Sequence, residues 1–233
     1  MSGLGHRYWL EVVEVLRSVI PIYDKVNRTI SFGKDSEFRL HGIHGRIFPG
    51  NIILDAGSGY GNMSFIALNE VDGHAKIILY DPIQEMLTNS KGFFRSRFVV
   101  SLSCGIFEYM PFQNNTFDVV MCGYSLRDAI QLKEAIFEIH RVLKKGGRLI
   151  IIDLGKPDNP IVRACVSFYL KYILGILAFG VAGKAGLHFK TLYGTYQRWP
   201  RNSELCRVLN DKFSKVYFDK AMMGAAIIVV AYK

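Results

Sequence analysis

The hydrophobic and polar positions along this chain follow two alternating patterns. Short apolar runs of strand length recur through the middle of the sequence, at 52–54, 75–80, 97–101, 117–122 and 148–153. Between several of these runs, apolar residues return every three or four positions, which is the period of an amphipathic helix. Strands that alternate with helices predict an α/β fold with a parallel, doubly wound sheet.

Helices are expected both before and between these strands. Apolar positions at helical spacing predict a helix at 5–20, and a short helical turn at 24–30 and a further helix at 35–47 are expected before the first strand. In the alternating region, helices are expected at 62–70 and 82–91, and an amphipathic helix at 130–143. The Lys-Lys-Gly-Gly stretch at 144–147 is expected to turn the chain into the fifth strand.

The pattern changes after the fifth strand. An apolar, helical stretch comes first, and Ser203 is then expected to cap a helix that ends near Asp211. Two more apolar runs, at 216–218 and 225–232, predict an antiparallel hairpin at one edge of the sheet. The expected sheet therefore has seven strands, mostly parallel, with an antiparallel C-terminal edge.

The turn after the first strand is dense in glycine. Gly57, Gly59 and Gly61 follow Asp55 at intervals of two, whereas a dinucleotide fingerprint has its third glycine three positions after the second. This spacing, with an acid at the strand end, resembles the first motif of the class I S-adenosylmethionine-dependent methyltransferases. Such a turn must admit an adenosine and a zwitterionic methionine tail. An acid beside a cationic ligand is chemically sensible.

A second acid stands at the end of the second predicted strand. Asp81 can accept hydrogen bonds from both hydroxyls of a ribose, as acids at this position do in dinucleotide-binding folds. Asp81 and Pro82 also form a good start for the following helix. Both roles can hold together.

Further motifs lie at 23–33, 110–112, 116–118, 125–128, 141–147 and 224–233. Together they resemble one family, the ubiquinone/menaquinone biosynthesis C-methyltransferases. The resemblance covers about residues 20–233. It implies a Rossmann-like fold, S-adenosylmethionine as the cofactor and a prenylated quinol as the methyl acceptor.

The resemblance also implies a cofactor site. Its expected residues follow the first, second, third and fourth strands: Asp55, Gly57, Ser58, Gly59, Tyr60, Gly61, Asp81, Pro82, Ile106, Phe107, Cys122 and Gly123. Tyr60 is expected over the methionine tail, and Ile106 and Phe107 are expected to stack on adenine. Ile106 stands where the family commonly has an acid for the adenine amino group.

Catalytic residues are implied in the same way at Tyr23, Arg127 and Asp128, which is an asparagine in the family. Arginine is always charged and is a poor base. Arg127 is therefore expected to orient a water molecule or stabilise a phenolate, and Asp128 can be the general base. The alternative is a simple surface turn formed by this Arg–Asp pair.

The expected domain organisation is a single methyltransferase domain over residues 1–233. Its parts are N-terminal helices at 1–48, a cofactor-binding core at 49–156, a helical lid at 157–200, and a C-terminal helix and hairpin at 201–233. A length of 233 residues fits one domain of this class.

Composition limits the partners. Hydrophobic residues make up 50% of the chain and charged residues 21%, so a large core is possible and the composition argues against disorder. The net charge of +9 favours an anionic membrane surface, nucleic acid, an acidic substrate or simply a basic, solvated surface. No RNA-binding module is found, so no nucleic acid partner is expected.

The cysteines and histidines predict neither a zinc site nor any other metal site. The four cysteines are scattered and form no CxxC pair. Scattered thiols suit a reducing cytoplasm. We therefore expect a cytoplasmic protein that can act as a peripheral protein at the inner face of a membrane.

The stretch 161–183 is nearly long enough to span a bilayer, but Arg163 and Lys171 interrupt it. Charges inside a span are costly, so an amphipathic or substrate-covering helix is favoured. Such a helix can hold a polyprenyl tail, touch lipid headgroups or pack on a second subunit of a homodimer. Two other functions stay open: methylation of another small hydrophobic acceptor, and S-adenosylmethionine binding without catalysis.

Overall fold

The computed structural model of the chain describes residues 3–19, 28, 33–94, 98–182 and 190–233. Seven strands lie within these residues: β1 Ile52–Ala56, β2 Lys76–Asp81, β3 Val100–Cys104, β4 Phe117–Gly123, β5 Leu143–Leu154, β6 Lys215–Ala221 and β7 Ala226–Tyr232. They form one sheet in the order β3-β2-β1-β4-β5-β7-β6.

The pairing of the strands confirms the predicted fold class. β1 is parallel to both β2 and β4, and the parallel region continues to β3 on one side and β5 on the other. β7 pairs antiparallel with β5 and with β6, which makes the C-terminal edge hairpin. The strand order reverses between β1 and β4. Ligands of open α/β sheets bind beyond the carboxyl ends of the strands at this switch point.

Helices cover both faces of the sheet. Their bounds are α1 His6–Val19, α2 Asp35–Ile43, α3 Asn62–Glu70, α4 Gln84–Phe94, α5 Leu132–Val142, α6 Pro160–Phe168, α7 Leu174–Ala182, α8 Lys190–Arg198 and α9 Asn202–Asn210. A five-residue π turn, Tyr169–Ile173, joins α6 to α7.

Strand β5 shows how the sheet divides the core. Ile150 and Ile152 pack on one face with side chains of α2, α3 and α4, whereas Leu149 and Ile151 pack on the other with those of α5 and α9. All four residues are almost completely buried. Successive side chains of a strand point to opposite faces, so a strand covered on both sides becomes a continuous apolar run.

Several predicted boundaries are wrong by a few residues. β3 begins at Val100 rather than at 97, and α2 ends at Ile43 rather than at 47. The expected helix at 24–30 lies outside the described residues, apart from Arg28.

The expected turn at 144–147 lies inside strand β5. Gly146 donates its N–H to the carbonyl of Lys233, and Lys233 donates to Gly147, at 3.0 and 2.9 Å. The register of β4 against β5 shifts here, between Phe117 and Val119. The glycine pair therefore makes a bulge, because the end of β7 takes up the hydrogen bonds that a turn would have left open.

The expected cap at Ser203 is also wrong. Ser203 lies inside α9, and its backbone N–H donates to the Asp158 carboxylate at 3.0 Å. The N–H of Arg201 donates to the Glu204 carboxylate at 3.0 Å. Two carboxylates thus supply the acceptors expected from a serine hydroxyl.

Helix α6, the π turn and α7 follow one another without a break. Asn159 caps this segment by accepting hydrogen bonds from the backbone N–H groups of Ile161 and Val162, and Pro160 occupies its first turn. The stretch Pro160–Leu177 has a mean hydropathy of 1.5 and is long and apolar enough to cross a membrane, and 17% of it is buried.

Helix α1 lies across the carboxyl ends of the strands. The chain just before it is tied down by N–H bonds from Leu4 to Ala129 and from Gly5 to Ile130, both 2.9 Å. Val13 of α1 is buried in a small apolar cluster whose other buried members come from 83–86. The N-terminal helix therefore covers the switch point of the sheet.

Candidate active site

The glycine turn links β1 to α3. Gly57, Gly59 and Gly61 have φ values of +69°, +54° and +86°, a region that side chains disfavour. A Cβ on Gly57 would lie 2.3 Å from the Cβ of Ser125, and one on Gly61 would lie 2.7 Å from the Phe94 ring. Both positions therefore require glycine for space as well as for conformation.

Two buried carboxylates hold this turn in place. Asp55 accepts hydrogen bonds from the hydroxyl and the N–H of Ser64, at 2.6 and 3.1 Å. Asp81 accepts from the N–H of Gly59 at 2.9 Å and from that of Ile83 at 2.8 Å. Burial raises the pKa of each carboxyl to about 6. Asp55 thus anchors the start of α3, while Asp81 lies against the turn itself.

A small cavity of about 50 Å³ lies above the turn. The predicted cofactor residues that line it are Gly57, Gly59, Asp81, Pro82, Ile106 and Phe107, together with the predicted catalytic residue Asp128. Helix α1 closes it with Trp9, Val12, Val13 and Leu16. This cavity is smaller than an adenosine, so a ligand of that size fits only after the α1 side chains shift.

Other predicted residues lie outside the cavity lining. Cys122 is buried in the core, and a Cβ on Gly123 would lie 2.9 Å from the Met63 sulfur. Asp55, Ser58, Tyr60 and Gly61 belong to the strand end and the turn but do not line the cavity. Tyr23 lies outside the described residues.

A second, larger cavity of about 580 Å³ lies beside the first. Apolar side chains of the segments around it form most of its wall, including Phe38, Leu154, Val162, Val166, Leu170, Leu192, Met222, Met223 and Ala226. Its charged groups are Arg127 and Asp35. A mostly apolar cavity with a few convergent polar groups is the usual form of a small-molecule site.

The two cavities adjoin at the end of β4. Tyr124 lines both of them, Arg127 lines the large one, and Asp128 lines the small one. Tyr124 has a φ of +61° and is held by an N–H bond to Ile152. Arg127 and Asp128 are neighbours in the short turn 126–128, and yet their side chains line different cavities.

A buried ion-pair cluster fixes this turn. The Arg127 guanidinium donates to the fully buried carboxylate of Asp153, and its Nε lies 3.7 Å from the carboxylate of Asp128. Burial raises the pKa of Asp128 to about 6, although the Arg127 charge opposes the rise. Neighbouring Asp153 and Asp81 raise this pKa further.

Sequence reasoning missed Tyr124 and Asp153 as parts of this site. Asp153 is the last residue but one of strand β5. The carboxyl ends of parallel strands meet at one edge of a sheet, so its position was a usable signal. Tyr124 carries no local signal, because its role depends on helices α2 and α6 that are distant in sequence. The Arg39 guanidinium lies 5.0 Å from its ring centre.

The residues present fit S-adenosylmethionine. Gly59 is open on its Cα side, since a Cβ there would meet nothing closer than the Met86 sulfur at 3.6 Å. The carboxylate oxygens of Asp81 each have capacity for a further donor, such as a ribose hydroxyl.

The fold and this site define a class I S-adenosylmethionine-dependent methyltransferase. A family model of the ubiE/COQ5 methyltransferase family matches residues 2–233, and the chain belongs to that family. The expected resemblance, enzyme class and cofactor are therefore confirmed.

Named relatives agree. A demethylmenaquinone methyltransferase of Chlorobaculum parvum is 29% identical over 92% of this chain and 89% of its own length. The ubiquinone/menaquinone biosynthesis C-methyltransferase UbiE of Blochmanniella pennsylvanica is 28% identical over 95% and 89%. A S-adenosylmethionine-dependent methyltransferase structure from Aquifex aeolicus has a TM-score of 0.56 at 16% identity, covering 89% of this chain and 96% of that one. That last likeness concerns the fold alone.

The requirement for glycine in the turn is testable. Gly57→Ala is expected to destabilise the site by roughly 1–3 kcal/mol, because alanine disfavours the positive φ and its methyl meets Ser125. Calorimetric titration with S-adenosylhomocysteine should then show binding weakened by at least about tenfold. Gly92→Ala is the matched control, since Gly92 lies in α4 with nothing within 4 Å of a built Cβ. Equal affinities in the two variants would contradict the assignment of the turn to the cofactor.

Proposed function

We propose that this methyltransferase methylates a ring carbon of a prenylated quinol, such as a demethylmenaquinol. The observation that carries the proposal is the apolar cavity of about 580 Å³ that adjoins the cofactor cavity. A cavity of this size holds a ligand of several rings or isoprene units. The names of the relatives, which refer to demethylmenaquinone and ubiquinone/menaquinone, support the same acceptor.

Arg127 is proposed to hold the acceptor's hydroxyl group. Its guanidinium stays charged at every physiological pH and lines the apolar cavity. This cation favours the ionised form of a quinol hydroxyl, and that ionised form carries more electron density at the neighbouring ring carbon than the neutral hydroxyl does. Asp153 fixes the guanidinium from the buried side, so little reorganisation is needed.

Asp128 is proposed as the general base. When bound, S-adenosylmethionine supplies an electrophilic methyl group, and the methylated ring must lose a proton to become aromatic again. Asp128 has a pKa of about 6, so it is ionised at neutral pH and can accept that proton or the hydroxyl proton. A base with a pKa close to the working pH is the most effective. Tyr23 remains proposed as a third residue of the site.

The segment of α6, the π turn and α7 is proposed to receive the prenyl tail from a membrane. One side of it, including Val162, Val166 and Leu170, lines the acceptor cavity. The opposite side exposes large apolar residues to the exterior: Ile161, Phe168, Tyr172, Ile173, Ile176, Leu177 and Phe179. An exposed apolar patch of this extent is typical of a protein or membrane contact.

Two further features favour a membrane as the occupant of this patch. Met222 and Met223 line the cavity and are also exposed, so the cavity reaches the surface near them. The exposed Lys171 lies among the apolar residues, and the whole chain carries a net charge of +9. Cations beside an apolar face bind the anionic headgroups of a cytoplasmic leaflet. The tail can then enter the cavity directly from the lipid.

The acceptor is tested by methyl transfer. Purified protein with methyl-labelled S-adenosylmethionine and a demethylmenaquinol is expected to form a lipid quinone whose label is bound to a ring carbon. Mass spectrometry of the extracted lipid checks the product. Label found only in other small hydrophobic acceptors would replace the quinol by another substrate. Binding of S-adenosylhomocysteine with no turnover on any acceptor would indicate a non-catalytic protein.

The role of Asp128 is tested by the pH dependence of the rate. Protonated Asp128 cannot accept a proton, so activity should fall by about tenfold per pH unit below pH 6. Asp128→Asn should lower the plateau rate above pH 7 by roughly 10²–10⁴-fold. Asp55 and Asp81 also have pKa values of about 6, so the plateau rate, and not the acid limb alone, decides the test. Asp211→Asn changes an exposed carboxylate of the same type and should leave the plateau rate and the profile unchanged. An Asp128→Asn enzyme that keeps the wild-type plateau rate would exclude Asp128 as the base.

Membrane contact is tested with vesicles of phosphatidylglycerol. Ile176→Glu places a charge on the exposed apolar patch and should weaken vesicle binding by at least tenfold, since burying an isoleucine contributes about 1.5–3 kcal/mol. Val99→Glu is the control, because Val99 is also an exposed apolar residue but lies beside β3, an edge strand of the sheet. Co-sedimentation measures both. If both variants bind as the wild type does, or if the protein dimerises through the patch without binding lipid, the membrane proposal is wrong.

A further inference from the structure

The loop after β3 presents a buried carboxylate that the assigned cofactor residues do not include. Glu108 is 8% exposed and lines the same small cavity as Ile106, Phe107 and Asp81. Its carboxylate is held from one side, because one oxygen, Oε1, accepts a hydrogen bond from the N–H of Gln131 at 2.9 Å.

The second oxygen of Glu108 is buried and unsatisfied. Oε2 has no hydrogen-bond partner among the described residues. A buried acceptor without a donor is costly, particularly when it belongs to a carboxylate. Burial raises the pKa of Glu108, and this rise outweighs the opposite effect of nearby backbone N–H groups, that of Gln131 first.

The backbone around Glu108 is fixed. The Tyr80 hydroxyl lies within hydrogen-bond distance of the carbonyls of Ile106 and Tyr109, at 2.7 and 3.2 Å. The carbonyl of Ile106 therefore already has a donor. The Glu108 Oε2 atom is thus an unsatisfied side-chain acceptor on the wall of the cavity that residues 106–108 help to form.

We propose that Glu108 accepts a hydrogen bond from the exocyclic amino group of the cofactor's adenine. Asp81 lies at the glycine turn, where it can bind the ribose, and Ile106 and Phe107 offer apolar surface for the base. The exocyclic amino group is the hydrogen-bond donor of adenine. The Ile106 side chain has no acceptor for this amino group. Glu108 therefore provides the hydrogen bond that distinguishes adenine from other bases. This inference rests on the cofactor of the proposed function but not on its acceptor.

The test compares two ligands that differ in one donor. S-adenosylhomocysteine and its 6-deamino purine analogue are titrated calorimetrically into wild-type, Glu108→Gln and Glu108→Leu proteins. The wild type should bind the adenine ligand roughly ten- to hundredfold more tightly, as expected for a buried hydrogen bond to a charged group. In Glu108→Leu, this ratio of affinities should fall to near one.

Glu108→Gln keeps the test decisive if the leucine variant folds poorly. Its amide oxygen can still accept from Gln131, and its NH₂ then faces the base, so the ratio should also fall toward one. Glu37→Gln, at an exposed position on α2, should keep the wild-type ratio. A merely structural role of Glu108 would weaken both ligands alike and leave the ratio unchanged, which would overturn the proposal. A wild type without any preference would overturn it too, whereas failure of quinol methylation alone would not.

Discussion

The site depends on one buried arginine shared by two carboxylates. Arg127 is bound to Asp153 at the end of β5 and lies close to Asp128 in its own turn. Removing one partner of a buried ion pair costs about 3–5 kcal/mol, because the remaining charge is left uncompensated. The cluster is therefore stable only when complete. It connects the ends of β4 and β5 and places a cation at one cavity and a carboxylate at the other.

The cofactor side of the site depends on two further acids, and each acts through backbone N–H groups. Asp81 binds Gly59 and Ile83, while Asp55 binds Ser64 at the start of α3. These hydrogen bonds fix the glycine turn in the free protein. Such preorganisation lowers the entropic cost of ordering the loop when a ligand binds. Helix α1 fills the remaining space with apolar side chains, so cofactor binding and the position of α1 are coupled.

Much of the fold follows from local pattern. The run at 52–56, the glycine turn and helix α3 were predictable because burial on both faces of a central strand demands an apolar run, and the turn demands glycine. The bulge at Gly146 was not predictable, since it depends on pairing with the distant end of β7. The start of α9 escaped prediction for the same reason, as Asp158 reaches it from another segment.

The site was predictable in part. Spacing alone indicated the turn and Asp81, and the resemblance indicated Arg127 and Asp128. The unsatisfied oxygen of Glu108 and the position of Tyr124 between two cavities depend on packing that no local pattern encodes. For Asp55 the sequence pointed to a ligand contact, but in the structure its carboxylate accepts a hydrogen bond from Ser64 instead.

The central claim is that cofactor and acceptor occupy adjoining cavities separated by Tyr124 and the 126–128 turn. A crystal structure with S-adenosylhomocysteine and a short-tailed demethylmenaquinone tests it most directly. The account predicts the cofactor sulfur above the glycine turn, the quinone ring in the cavity of Arg127 with an oxygen at its guanidinium, and the tail along the α6–α7 segment. A quinone ring bound elsewhere, or a cofactor lying in the large apolar cavity, would contradict the account.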